Sequence, residues 1–142
     1  MRTVAQTEDI IKQIIIVRRD LITREENPMT PGKLAVQVAH ASMAVILDQM
    51  TDNTDGRYLD FDNYPHTRDW LDGPFRKIVL YVKSEEALMN KFKELEEAGI
   101  KVALIKDAGY TVFEEPTVTC FGIEPLPSLL IDPYTKRLQL LK

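Results

Sequence analysis

The sequence predicts an α/β fold, a three-layer or two-layer sandwich in which a mixed, mostly four-stranded sheet is flanked by helices. Three observations carry this. The run Ile14-Ile15-Ile16-Val17 shows no polar alternation, as expected of a strand covered on both faces. Two segments with helical apolar periodicity, Lys33 to about Met50 and Ser84 to about Ala98, interrupt the strand-like runs. Three further apolar runs, at Lys77–Val82, Val102–Ile105 and Thr117–Ile123, have the length of ordinary strands.

Taken in order, residues 1–12 read as a polar leader, and residues 13–142 as one domain. Gln13 to Arg18 is the first strand. Residues 22–32, with two prolines and a glycine, form a loop. On the helix from Lys33, the residues Leu34, Val38, Ala41 and Val45 make an apolar stripe at i, i+4, i+7, i+11. Lys33, Gln37, His40 and Ala44 make a second row, lining up a cation, an amide and an imidazole. Residues 51–75 are irregular, with a short helix at His66–Leu71. A connection of this length is often functional. Ser84 caps the second long helix, Leu88, Phe92 and Leu95 face inward, and Gly99 stops it. Pro125 and Pro127 break the chain before a turn of helix at 128–132 and an apolar patch at Leu138–Leu141. The two helical crossovers make the first three strands parallel. The 106–116 connection is too short for a helix, so the fourth strand runs antiparallel to its neighbour.

Composition narrows the function. Apolar residues are 44% and charged residues 28%, a globular balance. The beginning is too polar for a signal peptide, and no apolar run approaches the roughly 20 residues of a membrane span. A cytoplasmic protein is expected. The single cysteine, Cys120, cannot form an intrachain disulfide or supply metal-site spacing, and it reads as a buried thiol. No metal site is expected. The net charge of −4 speaks against nucleic-acid binding unless cations cluster, as Arg18/Arg19/Arg24, Arg76/Lys77 and Lys136/Arg137 do along the sequence.

In open α/β sheets, ligands gather outside the carboxyl ends of the parallel strands. Two segments arrive there: the helix start at Gly32-Lys33 and the segment Lys106-Asp107-Ala108-Gly109-Tyr110-Thr111. The topology thus brings Lys33, Gln37 and His40 towards Asp107 and Thr111. Lys33 is a cation at a helix N-terminus, where it opposes the dipole, so function explains it better than stability. Each of the others has a plainer reading. His40 and Gln37 can be structural, Asp107 a turn former, Thr111 an ordinary strand residue, and Trp70 a core or lid anchor.

PGKLAVQVAHAS resembles the signature helix of the second peptidyl-tRNA hydrolase family, found in archaea and eukaryotes. IIVRRDL, KIVLYVKSEEAL, IKDAGYT and the closing TVTCFGIEPLPSLLIDPYTKRLQLL are similar to that family in the same order. The resemblance implies a mixed four-stranded sheet flanked by helices, no cofactor, and hydrolysis of the ester between peptide and tRNA in the cytoplasm. It implies catalytic roles for Lys33, Asp107 and Thr111, and substrate-binding roles for Gly32, Gln37, His40, Gly109 and Thr117. The partner implied is the 3′ end of peptidyl-tRNA, with a homodimer possible and no membrane. The chain departs from the pattern at an insertion over Ile22–Pro28, where Pro28 replaces a lysine. It departs again at Glu115-Pro116-Thr117, where a Pro-Gly-Thr turn is usual. Those departures favour an alternative, a binding module for RNA or protein on the same fold. The low pI favours a third reading, a small hydrolase acting on a non-nucleic substrate.

Overall fold

In the computed structural model, which describes residues 10–21, 28–109, 113 and 115–142, twelve elements follow one another. They are β1 (Ile11–Arg18), α1 (Pro31–Leu47), β2 (Met50–Asn53), β3 (Gly56–Leu59), α2 (Pro65–Asp72) and β4 (Arg76–Val82). Then come α3 (Glu85–Glu97), β5 (Val102–Asp107), β6 (Thr117–Ile123), β7 (Leu126–Pro127), α4 (Ser128–Thr135) and β8 (Gln139–Leu140).

The unalternating run of β1 becomes the middle of the principal sheet, whose order is β5-β6-β1-β4-β8, with β7 also paired to β1. Alternate residues of β1 serve opposite faces. Ile14 and Ile16 pack with Leu88 and Leu95 of α3 and Ile131 of α4. Ile15 and Val17 pack with Ala41 of α1 and Cys120. Helices therefore cover both faces, and of the two expected sandwiches the three-layer one forms. The four long strands are β1, β4, β5 and β6; the two-residue strands β7 and β8 extend the sheet to six. β1 and β4 are parallel, and β6 is antiparallel to both β1 and β5, so β5 runs with β1 as the crossovers require.

α1 begins two residues before the expected Lys33, because Thr30 caps it and Pro31 occupies N1, where a missing N–H costs nothing. It ends at Leu47, short of Met50, because Met50–Asn53 leaves the helix to pair with Gly56–Leu59. That hairpin replaces the irregular stretch expected after residue 50. The short helix expected at His66–Leu71 is present as α2. Its Trp70 is a core anchor, 3% exposed, with its indole N–H donating to the Arg76 carbonyl at 2.8 Å. α3 ends as expected at Gly99, where the φ of +80° lets Gly99 N–H reach the Glu96 carbonyl and Ile100 N–H reach that of Leu95.

Two buried glutamines and one glycine seat α1 on the sheet. Gln13 of β1 donates to the Ser42 carbonyl at 3.0 Å. Gly122 of β6 lies under α1 so closely that a Cβ there would run into the Ala41 carbonyl oxygen. The second glutamine, Gln37, belongs to the site.

Candidate active site

At about 100° per residue, the apolar stripe of α1 centres on Leu34, Val38, Ala41 and Val45, and Gln37 stands at its edge. Gln37 is accordingly buried, at 5% exposure, while Lys33 one turn earlier and His40 one turn later are exposed. The helix thus offers one polar side chain to the sheet and two to solvent from the same row.

Gln37 donates through Nε2 to Asp107 Oδ2 at 3.1 Å and accepts through Oε1 from Thr119 Oγ1 at 2.8 Å. A carboxylate only accepts, so these two bonds fix which way the amide points. Asp107 ends β5, where the alternation that sends Ala103 and Ile105 towards α1 sends it there too. Its other oxygen, Oδ1, accepts from the Gly109 N–H at 2.9 Å. Each carboxylate oxygen therefore holds one protein donor and keeps lone pairs for water. Gly109 makes this turn at a φ of +83°, and a Cβ there would meet the Glu115 carbonyl carbon at 2.6 Å. Thr117 pairs directly with Asp107 across the strands, and its hydroxyl donates to the Glu115 carbonyl at 2.8 Å. The two passes of chain beside Asp107 are thereby locked together, with Gly109 allowing a close approach at the departed turn Glu115-Pro116-Thr117.

Thr119 is the residue that sequence reasoning missed. The β5–β6 register jumps from Ile105↔Cys120 to Lys106↔Val118, which leaves Thr119 as the extra residue of a bulge. The bulge sends two successive side chains to the α1 face: Thr119 bonds to Gln37, and Cys120 Sγ donates to the Gln37 carbonyl at 3.4 Å. In regular alternation one of them would face α3, as Val118 does. Cys120 is fully buried, and that burial pushes its thiol up to about 11, so it is no nucleophile near neutral pH.

The structure thus joins Gln37 and Asp107, places Gly109 and Thr117 against Asp107, and sets Lys33 one helical turn above Gln37. Among the described residues no ion pair joins Lys33 to Asp107. His40 faces solvent and takes no part in the Gln37–Asp107–Thr119 bridge. Gly32 is exposed, with open space where a Cβ would project. Thr111 lies outside the described residues, as does Arg24.

The cations divide between the two ends of the sheet. Arg18 and Arg19 close β1 at the carboxyl end, and Lys33, Lys83 and Lys106 stand exposed at that same end. Lys136 and Arg137 lead into β8, whose Gln139 pairs with Tyr81 near the same end of β4. Arg76 and Lys77 start β4 and lie at the opposite end. There Asp48, Glu96 and Glu124 line an acidic cleft. Arg18 is committed, gripping Asp20 through two bonds of 3.0 Å and donating to the Val118 carbonyl at 2.9 Å. That grip holds the Asp20 carboxyl below its ordinary range. Arg19 lies over the Tyr81 ring, 4.7 Å from its centroid.

Comparison with known proteins shows the family. Residues 11–141 match the family model described as peptidyl-tRNA hydrolase PTH2. A peptidyl-tRNA hydrolase of Saccharolobus islandicus is 35% identical over 132 residues, covering 93% of this chain and all of the relative. That of Metallosphaera sedula is 37% identical over 131 residues, covering 92% of this chain and all of the relative. That of Saccharolobus solfataricus is 34% identical over 132 residues, again along its whole length. The chain belongs to the peptidyl-tRNA hydrolase PTH2 family.

Proposed function

We infer that this chain is a peptidyl-tRNA hydrolase, an enzyme that cleaves the ester between peptide and tRNA to release both. The observation that carries the mechanism is the buried amide bridge. Gln37 holds Asp107 with one end and the bulge residue Thr119 with the other, so the carboxylate is aimed before substrate arrives.

The reaction is attack of water on an ester carbonyl. It needs a group to orient and deprotonate the water and a positive charge for the oxyanion. Asp107 takes the first role through the lone pairs its two protein bonds leave free. Lys33, on the next turn of α1, takes the second, and a preorganised donor of this kind is worth about 3–4 kcal/mol of barrier. Thr111 donates or relays a hydrogen bond in this scheme, as the family resemblance implies. Gln37 and Thr119 are positioning residues, and Gly109 and Thr117 shape the backbone beside the carboxylate. Gly32 leaves space at the helix start for the substrate, and His40 lies on the exposed continuation of that row. With Cys120 sealed and its thiol protonated, no acyl-enzyme on sulfur forms, and water attacks directly.

The acidic chain binds an anionic substrate through the cations gathered at the carboxyl end of the sheet. Arg19, Lys33, Lys83 and Lys106 face the tRNA 3′ end, with the carboxylates of the opposite cleft kept away from it. Among the described residues no helix is long and apolar enough to cross a membrane. The work place is the cytoplasm, where translation supplies the substrate. A homodimer is part of the same proposal, tested by sedimentation.

The test is release of free peptide from peptidyl-tRNA by the wild type, by Asp107→Ala and by Lys33→Ala. Asp107→Ala is expected to lose at least about 100-fold, the scale of general acid–base effects. A wild type that releases no peptide would remove the assignment.

A further inference from the structure

On the flank of α1 turned away from Asp107 lies a cavity of about 640 Å³. Its walls come from the first turns of α1 (Leu34, Ala35 and Val38), from Met29 before it, and from Val79 of β4 and Leu141 beside β8. Leu34, Ala35 and Val38 share one side of the helix, and Lys33 and Gln37 share the other. The cavity and the Asp107 site therefore lie on opposite flanks of the first turns of α1, and Gly32, at the start of that helix, leaves open space. Among the described residues, the charged side chains on its lining are Arg18, Arg19 and Lys142, all three cations. Arg18 is tied to Asp20, while Arg19 and Lys142 are exposed and, among the described residues, in no ion pair.

We propose that this cavity holds the apolar side chains of the peptide part of peptidyl-tRNA, an inference that rests on the hydrolase reading of the neighbouring site. The volume lies within the range of ligand pockets, about 300–1,000 Å³. Among the described residues the lining is mostly aliphatic and carries no aromatic ring. A nucleobase wants a ring to stack on, so the terminal adenosine fits poorly and aliphatic side chains fit well. The walls also present few fixed polar groups. A peptide stranded on tRNA has no set sequence, and a deformable wall with a methionine in it accepts many. The rim cations attract the polyanionic end of the same substrate without meeting a side chain in the cavity.

Two substrates test this: acetyl-leucyl-leucyl-glycyl-tRNA and acetyl-triglycyl-tRNA, which share the ester and the tRNA and differ only in side chains. The wild type should favour the leucyl substrate in kcat/KM by about tenfold or more. Ala35→Phe fills the cavity from an exposed helix position, so the core stays untouched, and should reduce that preference to near unity. A preference unchanged by Ala35→Phe, or absent from the wild type, overturns the proposal. An equal fall on both substrates also overturns it, since the cavity would then serve the tRNA or the fold. A wild type inert on both substrates speaks against the hydrolase reading instead. The cavity is then judged by acetyl-leucyl-leucinamide alone. Its titration should shift the methyl resonances of Leu34, Val38 and Val79, with affinity weakened about tenfold by Ala35→Phe. No shift at millimolar peptide overturns the assignment.

Discussion

Replacing Gln37 with leucine tests whether one buried amide holds the site together. Leucine keeps nearly the same volume and loses both bonds, 3.1 Å to Asp107 and 2.8 Å from Thr119. The two ends pay differently. Thr119 is 1% exposed, so its hydroxyl cannot turn to water. It keeps only the Ile105 carbonyl at 3.5 Å, at the outer limit of hydrogen bonding, and Cys120 Sγ at 3.6 Å, a weak acceptor. A buried polar group left in that state costs about 1–3 kcal/mol. Asp107 is half-buried and keeps its Gly109 donor, so water replaces the lost bond at about 1 kcal/mol. Gln37→Leu should therefore lose about 2–4 kcal/mol in urea unfolding. Adding Thr119→Val removes the stranded hydroxyl and should recover about 1–2 kcal/mol, a coupling well above additive error. Activity should not recover with it. Asp107 has lost its holder in both variants, and a displacement of about 1 Å costs on the order of 100-fold. The double variant is then stable and slow. Strictly additive losses in stability, or a Gln37→Leu variant with nearly wild-type kcat, would refute the bridge as the device that aims Asp107.

Four further outcomes follow from the same structure. Gly109→Ala should destabilise by more than about 1 kcal/mol, because its φ of +83° and the Glu115 carbonyl both exclude a Cβ. Gly32→Ala should leave the melting temperature unchanged or raised, since open space surrounds that position, and any fall in its activity then reports on substrate. Glu124 titrates above its usual 4.5 because burial disfavours its charge. The folded state then binds its proton more tightly, so this contribution is present below about pH 4.5 and is lost as pH rises through the folded value. Glu124→Gln should be more stable than wild type at pH 7 in urea unfolding, and the gain should vanish in acid. Substrate affinity should fall steeply with salt, and Arg19→Ala should reduce the slope of log affinity against log salt by about 1 if Arg19 meets one phosphate.

Much of this molecule was readable in its sequence because the signals were local and strong. The Ile14–Val17 run, the α1 stripe and the Ser84 and Gly99 boundaries of α3 each rest on a short-range rule, and each formed in place. The hairpin of β2 and β3 gave no such signal. Its residues are mostly polar and exposed on both faces, so no alternation marks them, and the Asp55-Gly56 pair in its turn was the one cue present. β7 and β8 are two residues each and exist only because β1 and β4 stand beside them. At the site, topology alone sufficed to bring α1 and the end of β5 together. It did not reveal that Gln37 would be buried while Lys33 and His40 stayed exposed, because that depends on how α1 is rolled on the sheet, which Gly122 and Gln13 decide. Thr119 was hidden for a related reason. A bulge is a register event between two strands, and nothing in Val118-Thr119-Cys120 alone says where the extra residue falls.

The central claim is that Asp107, held in place by neutral donors, activates the attacking water. Asp107→Asn keeps the size of that side chain and one of its two accepting oxygens, and removes its ability to take a proton. In single-turnover hydrolysis of peptidyl-tRNA, the rate of ester cleavage should drop at least about 100-fold while tRNA binding stays equal or tightens, since a negative charge has left the phosphate-facing end. Cleavage at close to the wild-type rate, or a loss that lies wholly in binding, would contradict it.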